Sequence, residues 1–325
     1  MHHTPKADAF DRRAIPAAAH ETKWQAGDGH AIRRIDWPEP PAGVKPRGHM
    51  LFMAGRGDAY EKYLESFEHW RLAGWQVSAA DWRGQGGSGR LGLGDAGHID
   101  DFGVWVADLA ALWADWAEGR EGPLVLLGHS MGGHLVLRAA LEQVLAPRPA
   151  ALVLSAPMLD IFPEHLPLFA KRLVADAMVR LGNPGRAAWK MSEKPGSRPS
   201  ARQSLLTHDN ARYDDERFWR EARPELKLGP GSWGWLAAAT RSTGKLFAPG
   251  ALESVEVPVM IVSTAVDKLV SPAAIRVAAR RLPGAELLEF GAEANHEILR
   301  EVDAVRDKAL AAIDDFLARY TTNGE

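Results

Sequence analysis

Residues 123–136 read PLVLLGHSMGGHLV. An apolar run ends in Gly128, His129 and Ser130, and two further glycines open a second apolar run. An unbroken apolar run of this length reads as a strand buried on both faces. The following GGHLVLRAALEQVL has the spacing of a helix. Gly128-His129-Ser130-Met131-Gly132 therefore sits on a strand-to-helix turn and matches G-x-S-x-G. Such a turn strains the serine backbone and lifts its hydroxyl above the sheet, while small residues two positions away on either side relieve crowding. The helix N-terminus beside Ser130 favours a developing anion. On this stretch alone, an inert serine in a glycine-rich turn remains the alternative.

The same alternation extends in both directions. TKWQA, the turn GDGH and AIRRIDW read as a hairpin. Residues 48–55 and 74–81 read as buried strands around a helix over 60–73, and 101–118 as a long amphipathic helix. ALVLSAP (151–157) is a further strand. The pattern stops there and resumes with strand 257–265, helix PAAIRVAARRL, strand AELLEFG and a last helix near 299–319. Strand–helix alternation predicts an α/β fold with a mostly parallel central sheet flanked by helices. Residues 158–245, with their own helical stretches, predict a helical cap inserted into a core made of 1–157 and 246–325. The cap carries five more basic than acidic residues, although the whole chain has a net charge of -3.

Composition narrows the classes. The chain has 325 residues, 46% of them hydrophobic, enough for one large core with an insertion or for two domains. A charge balance near neutrality argues against a nucleic-acid partner. The absence of cysteine removes disulfides, zinc–thiolate sites and a thiol nucleophile. No segment has the apolar core of a signal peptide or the length of a membrane span. The expectation is a soluble, cytoplasmic protein, with contact at the inner membrane surface through the cap as an option.

A nucleophilic serine needs a base, and the base an orienting carboxylate, in the chain order Ser, acid, His, with the last two after strand ends. Asp267 follows strand 257–265, and His296 follows AELLEFG. Each has a plain alternative, Asp267 as a loop carboxylate or helix cap and His296 as a helix N-terminal residue. Their agreement in order and strand context favours the relay. One oxyanion donor is expected from the Met131 N–H and a second from the turn after strand 48–55, assigned to the Arg56 N–H.

Seven motifs together resemble the bacterial lysophospholipase and monoacylglycerol lipase branch of the α/β-hydrolases. They are GRGDAYEKY, DWRGQGGSGR, GHIDDFGVWVADL, GHSMGG, SAPM, VDKLVSP and NHEILRE, spread from about residue 24 to residue 319. The resemblance implies an α/β-hydrolase fold with Ser130 as nucleophile, His296 as base and Asp267 as orienter. It implies that Met131 and Arg56 supply the oxyanion donors, and that the cap is a lid over an acyl-binding groove. It also implies a single-acyl lipid ester as substrate, lysophospholipid or monoacylglycerol. Many relatives carry His-Gly where this chain has Ala54-Gly55. A short-chain carboxylesterase and a non-catalytic ligand sensor are the competing readings.

Other motifs carry less. Gly84-Gln85-Gly86-Gly87-Ser88-Gly89 matches G-x-G-x-x-G, but glycine-rich loop follows rather than a helix, so no dinucleotide is expected. Asp81 and Arg83 are expected to fix this loop by an ion pair. His129 and His134 lack metal-ligand spacing, and neither a metal nor a cofactor is expected. Trp189, Trp219, Trp233 and Trp235 lie in the cap, where they either line a groove, face a membrane or pack the cap's own core.

Overall fold

The computed structural model describes residues 10–92, 94–161, 166–189 and 202–321. The hairpin is β1 (His20–Gln25) and β2 (Ala31–Asp36), turned by Gly29 at φ 82°. β3 (Gly48–Met53) leads through a turn and one 3-10 turn into α1 (Leu64–Leu72), and β4 (Trp75–Ala80) follows. Next come α2 (Phe102–Ala117), β5 (Leu124–His129), α3 (Met131–Leu141) and β6 (Ala151–Ser155). After β6 the chain forms α4 (Leu168–Arg180), α5 (Gln203–Leu206), α6 (Asn210–Ala222) and α7 (Trp233–Leu246). It returns with β7 (Val259–Thr264), α8 (Pro272–Arg281), β8 (Glu286–Phe290) and α9 (Asp303–Thr321).

The eight strands form one sheet in the order β1-β2-β4-β3-β5-β6-β7-β8. β2 pairs antiparallel with β1 and with β4, and the remaining pairs are parallel. Successive strand residues point to opposite faces, and both faces here are covered. In β5, Leu124 and Leu126 meet the layer of α2, α3 and α8, whereas Val125 and Leu127 meet the layer of α1 and α9. That explains why β5 and β7 are buried throughout and read as unbroken apolar runs.

The segment between β6 and β7 is not a detached layer. α4 packs on α7, and α7 sends Trp235, Ala238, Ala239 and Leu246 into the apolar cluster that holds α2 and α3. Caps fix where its helices begin. The Asp209 carboxylate accepts the Arg212 N–H at 2.9 Å, and Ser232 Oγ accepts the Trp235 N–H at 3.0 Å.

The expected Asp81–Arg83 ion pair is replaced by three longer-range pairs. Asp81 pairs with Arg33 at 2.7 Å, and Arg83 pairs with Asp108 at 2.7 Å and Asp28 at 2.6 Å. The reason is local geometry. A β-carbon on Gly86 would lie 2.2 Å from Asp81 Oδ2, and one on Gly87 2.6 Å from Arg33 Cδ. The glycines thus let the loop wrap a buried pair whose cation comes from β2. This is a structural use for the G-x-G-x-x-G pattern.

Arg33 also meets Glu61 at 2.6 Å, so it bridges two carboxylates with no side-chain exposure, and Arg223 meets Glu61 as well at 2.9 Å. Burial, with Glu61 nearby, pushes Asp81 up to about 6 despite Arg33. Arg33→Met leaves buried Asp81 without its cation and Glu61 with Arg223 alone, and is expected to cost about 3–5 kcal/mol of stability. The urea unfolding midpoint checks it, and an unchanged midpoint would remove this pair from the account of the loop.

Candidate active site

Ser130 stands between β5 and α3 with φ 51° and ψ -116°, a conformation that L-residues rarely adopt. The surroundings hold it there. The Ser130 N–H donates to Ser155 O at 2.9 Å, and Ser130 O accepts from the N–H groups of His134 at 3.1 Å and Met158 at 2.9 Å. The two glycines of the motif have separate reasons. A β-carbon on Gly128 would lie 2.6 Å from the Gly132 carbonyl carbon, and one on Gly132 would lie 2.3 Å from Met53 O. The second contact matters most, because it brings the start of α3 against the end of β3 and the turn that follows.

His296 Nε2 lies 2.9 Å from Ser130 Oγ, and His296 Nδ1 lies 2.7 Å from Asp267 Oδ2. The other Asp267 oxygen accepts the N–H groups of Leu269 at 2.8 Å and Val270 at 3.1 Å. Burial pulls the His296 imidazole down, but the charge and hydrogen bond of Asp267, with Glu297 and Asp58 beyond, outweigh it and raise the group above 6.5. Burial alone would raise Asp267, and His296 together with the two backbone N–H groups holds it below the ordinary value. Sequence thus brought together three residues separated by as many as 166 positions. Their arrangement allows proton transfer from hydroxyl to imidazole, with the carboxylate orienting the ring.

The turn after β3 faces the same hydroxyl. A β-carbon on Gly55 would lie 3.1 Å from Ser130 Cβ. The Gly55 N–H donates to Asp58 at 3.3 Å and the Gly57 N–H to Gln85 Oε1 at 2.7 Å. Between them, the Arg56 N–H donates to no protein acceptor among the described residues. The same holds for Met131, whose N–H begins α3 and has no intrahelical partner. The carbonyl of Ala54 accepts the Trp82 indole N–H at 2.7 Å.

His129 lies behind this centre with its ring 4.9 Å from that of His296. Burial, with His296 alongside, lowers it to about 4, so it stays neutral. His134 is a core residue, with Nδ1 2.8 Å from Met158 O and Nε2 2.6 Å from Ser242 Oγ. Among the described residues no cluster of three or more histidine, aspartate or glutamate side chains could hold a metal.

A buried ionic network beside the centre was not foreseen from sequence. Lys62 reaches Asp58 at 2.9 Å, Glu216 at 3.2 Å and Glu297 at 2.5 Å. Glu216 also pairs with Arg202 at 2.6 Å and Arg220 at 2.9 Å, and Glu297 pairs with Arg300. The Tyr63 hydroxyl donates to Asp58 at 2.6 Å. Burial pushes Asp58 up, but Lys62 and His129 bring it down to about 2. The network joins the turn after β3, helix α6 and the loop of His296. Its members are far apart in sequence, and only the neighbour position of Glu297 hinted at it.

These side chains surround a cavity of about 570 Å³, with Ser130 and His296 on its wall. Met158, Leu205, Leu206, Leu228, Trp235 and Leu236 supply much of its apolar surface. Of the four cap tryptophans, Trp189 and Trp235 line it. Trp219 is packed instead in the core, its indole N–H donating to Arg12 O at 3.0 Å.

Residues 44–303 match the model of the family described as serine aminopeptidase, S33. The chain is 30% identical over 294 residues to Lysophospholipase L2 of Escherichia coli (strain K12), spanning 84% of this chain and 81% of that protein. It resembles in fold a soluble variant of monoglyceride lipase from Saccharomyces cerevisiae, solved with a substrate analog. The TM-score is 0.75 at 20% identity, over 98% of this chain and 99% of that one. The monoacylglycerol lipase of Paleococcus ferrophilus gives a TM-score of 0.65 at 22% identity, over 89% and 99%. With an eight-stranded, mostly parallel sheet behind it, the chain belongs to the S33 family of α/β-hydrolases, among its lysophospholipase- and monoacylglycerol lipase-like carboxylic-ester hydrolases.

Proposed function

We propose that this protein hydrolyses the ester of single-acyl glycerolipids, with Ser130 as nucleophile, His296 as general base and Asp267 as orienter. The observation that carries the reading is the continuous relay of 2.9 Å and 2.7 Å opening onto a largely apolar cavity. Ser130 Oγ attacks the ester carbonyl carbon as its proton passes to His296 Nε2. The carbonyl oxygen gathers charge against the N–H groups of Arg56 and Met131. His296 then gives its proton to the departing glycerol oxygen, leaving an acyl group on Ser130. Water, deprotonated by His296, releases the fatty acid. Residues 158–245 act as the lid over the acyl chain, and their hold on the His296 loop fits that role. The Glu297 N–H donates to Leu206 O at 2.8 Å, and Thr207 Oγ1 to Arg300 O at 2.8 Å.

Ser130→Ala is expected to abolish fatty-acid release from both lysophosphatidylcholine and monoacylglycerol. Undiminished release in that variant rejects the mechanism. A wild-type enzyme that prefers about four-carbon over twelve-carbon acyl esters would instead favour the short-chain carboxylesterase reading. Failure of a fluorophosphonate to label folded wild-type protein would favour a sensor.

The pH profile follows from the raised His296. The base must be neutral to accept a proton, so kcat/KM is lost as pH falls through a value above 6.5. Asp267→Asn removes the strongest influence holding that value up. Its acid limb is expected to move to lower pH, and kcat to fall about 10⁴-fold. An acid limb that stays in place in Asp267→Asn contradicts the role given to the carboxylate.

A second feature favours lipid over a small soluble ester. Phe169, Leu173, Val174 and Leu181 stand exposed on and just after α4, at 74%, 69%, 55% and 88%. They belong to the segment with excess positive charge. We propose that this face rests on an anionic lipid surface. No helix among the described residues is long and apolar enough to cross a membrane. Replacing Phe169 and Leu173 by serine should lower co-sedimentation with phosphatidylglycerol vesicles at least about tenfold. Equal sedimentation of wild type and variant rejects the contact.

A further inference from the structure

The cavity holds a cation that no acid among the described residues neutralises. Lys62, Arg202 and Arg220 all line it, but each is paired with Asp58, Glu216 or Glu297 at 3.2 Å or less. Arg56 lines it too, and no carboxylate lies within ion-pairing distance of Arg56 among the described residues. Lys268, exposed at the same cavity, likewise has no acid partner among those residues.

The guanidinium of Arg56 is held rather than satisfied. Nη2 donates to Gly229 O at 2.6 Å, while the buried Nε has no acceptor among the described residues. The rings of Trp189 and Trp235 lie 5.3 Å and 5.2 Å from Cζ. A guanidinium carries five N–H donors in a rigid fork that suits phosphate or carboxylate oxygens. Burial, with the like charge of Arg202, pulls this group down to about 10, and it remains charged at neutral pH. A buried charge without a partner is costly, and such groups are kept where a ligand completes them.

Position narrows the ligand. The Arg56 backbone belongs to the turn that faces Ser130, so its side chain starts beside the ester carbonyl and reaches away from it. In a lysophospholipid the phosphate likewise stands one glycerol away from the ester. A neutral monoacylglycerol has nothing to offer a guanidinium at that distance beyond a hydroxyl.

We propose that Arg56 binds the phosphate of a lysophospholipid head group, with Lys268 adding positive potential at the cavity mouth, and so sets preference for phosphate-bearing over neutral single-acyl lipids. This rests on the ester-hydrolase reading above and extends it to the head group. The Trp189–Trp235 pair orients the guanidinium, and its hydrogen bond to Gly229 keeps it from turning to solvent.

The test uses ligands with no ester, so turnover plays no part. Affinities of the full-length protein for the decyl ether of glycerol phosphate and the decyl ether of glycerol are measured by calorimetry. Wild type should bind the phosphate ether at least about tenfold more tightly than the neutral one, and less so at high salt. Arg56→Gln should bring that ratio close to one, and Arg56→Lys should retain part of it. Affinity for the neutral ether serves as the control for folding of each variant. Equal affinities in wild type overturn the proposal. So does a ratio that survives in Arg56→Gln, which would leave the guanidinium fastening the Gly229 loop only. Displacement of the phosphate ether by equimolar glycerol phosphate would assign the site to free phosphate esters instead of lipid. If fluorophosphonate labelling of Ser130 fails while the ratio behaves as expected, the hydrolase reading falls and the phosphate site stands.

Discussion

The approach of α3 to the end of β3 is the contact on which the site depends. A β-carbon at residue 132 would stand 2.3 Å from Met53 O and 2.5 Å from Ala54 O, so only glycine fits. That closeness brings the start of α3, with Met131, against the turn that carries Arg56. It also forces Ser130 to φ 51°, a strain the parallel neighbours of β5 must hold. Strands buried on both faces are suited to this, because neither can shift without opening a core. The long apolar runs of the sequence and the strained serine are thus two parts of one constraint.

A second constraint acts from the side of the insertion. Lys62, Glu216, and the pair Glu297 and Arg300 come from three parts of the chain and meet with side-chain exposures of 5% or less. Removing any one would leave buried charge uncompensated, which costs far more than the intact network contributes. The network therefore acts chiefly as a register. It sets α6 and the loop of His296 in one relation to the turn after β3. Glu297 and Asp58 also face His296 and help to keep its imidazole above the ordinary value. Structure and proton affinity are coupled through the same carboxylates.

What the sequence revealed divides along range of interaction. The strands, the order Ser130, Asp267, His296 and the turn bearing Arg56 follow from local pattern, since each depends on apolar periodicity and on glycine within a few positions. The relay was legible because the sheet places strand C-terminal ends side by side, which turns chain order into geometry. Charge pairing was not legible in this way. Asp81 and Arg83 are two positions apart and invite pairing, yet each turns to a partner at least 25 residues distant. Nothing local tells which distant arginine or aspartate arrives. The packing of α7 was hidden for a related reason. Its Trp235 and Ala238 read as cap residues by position, but their burial is with α2 and α3.

Ala54 shows how such a site keeps its turn without a bracing side chain at this position. A histidine there would brace the backbone through its own ring. In this chain the bracing is distributed over three partners from two directions. Trp82 holds the Ala54 carbonyl, Asp58 holds the Gly55 N–H and Gln85 holds the Gly57 N–H. The loop bearing Trp82 and Gln85 is the glycine-rich segment wrapped around Asp81 and Arg33. A buried ion pair thereby stabilises a loop, the loop fixes a turn, and the turn leaves the Arg56 N–H without a protein acceptor among the described residues. Position in this turn is thus supplied from outside it.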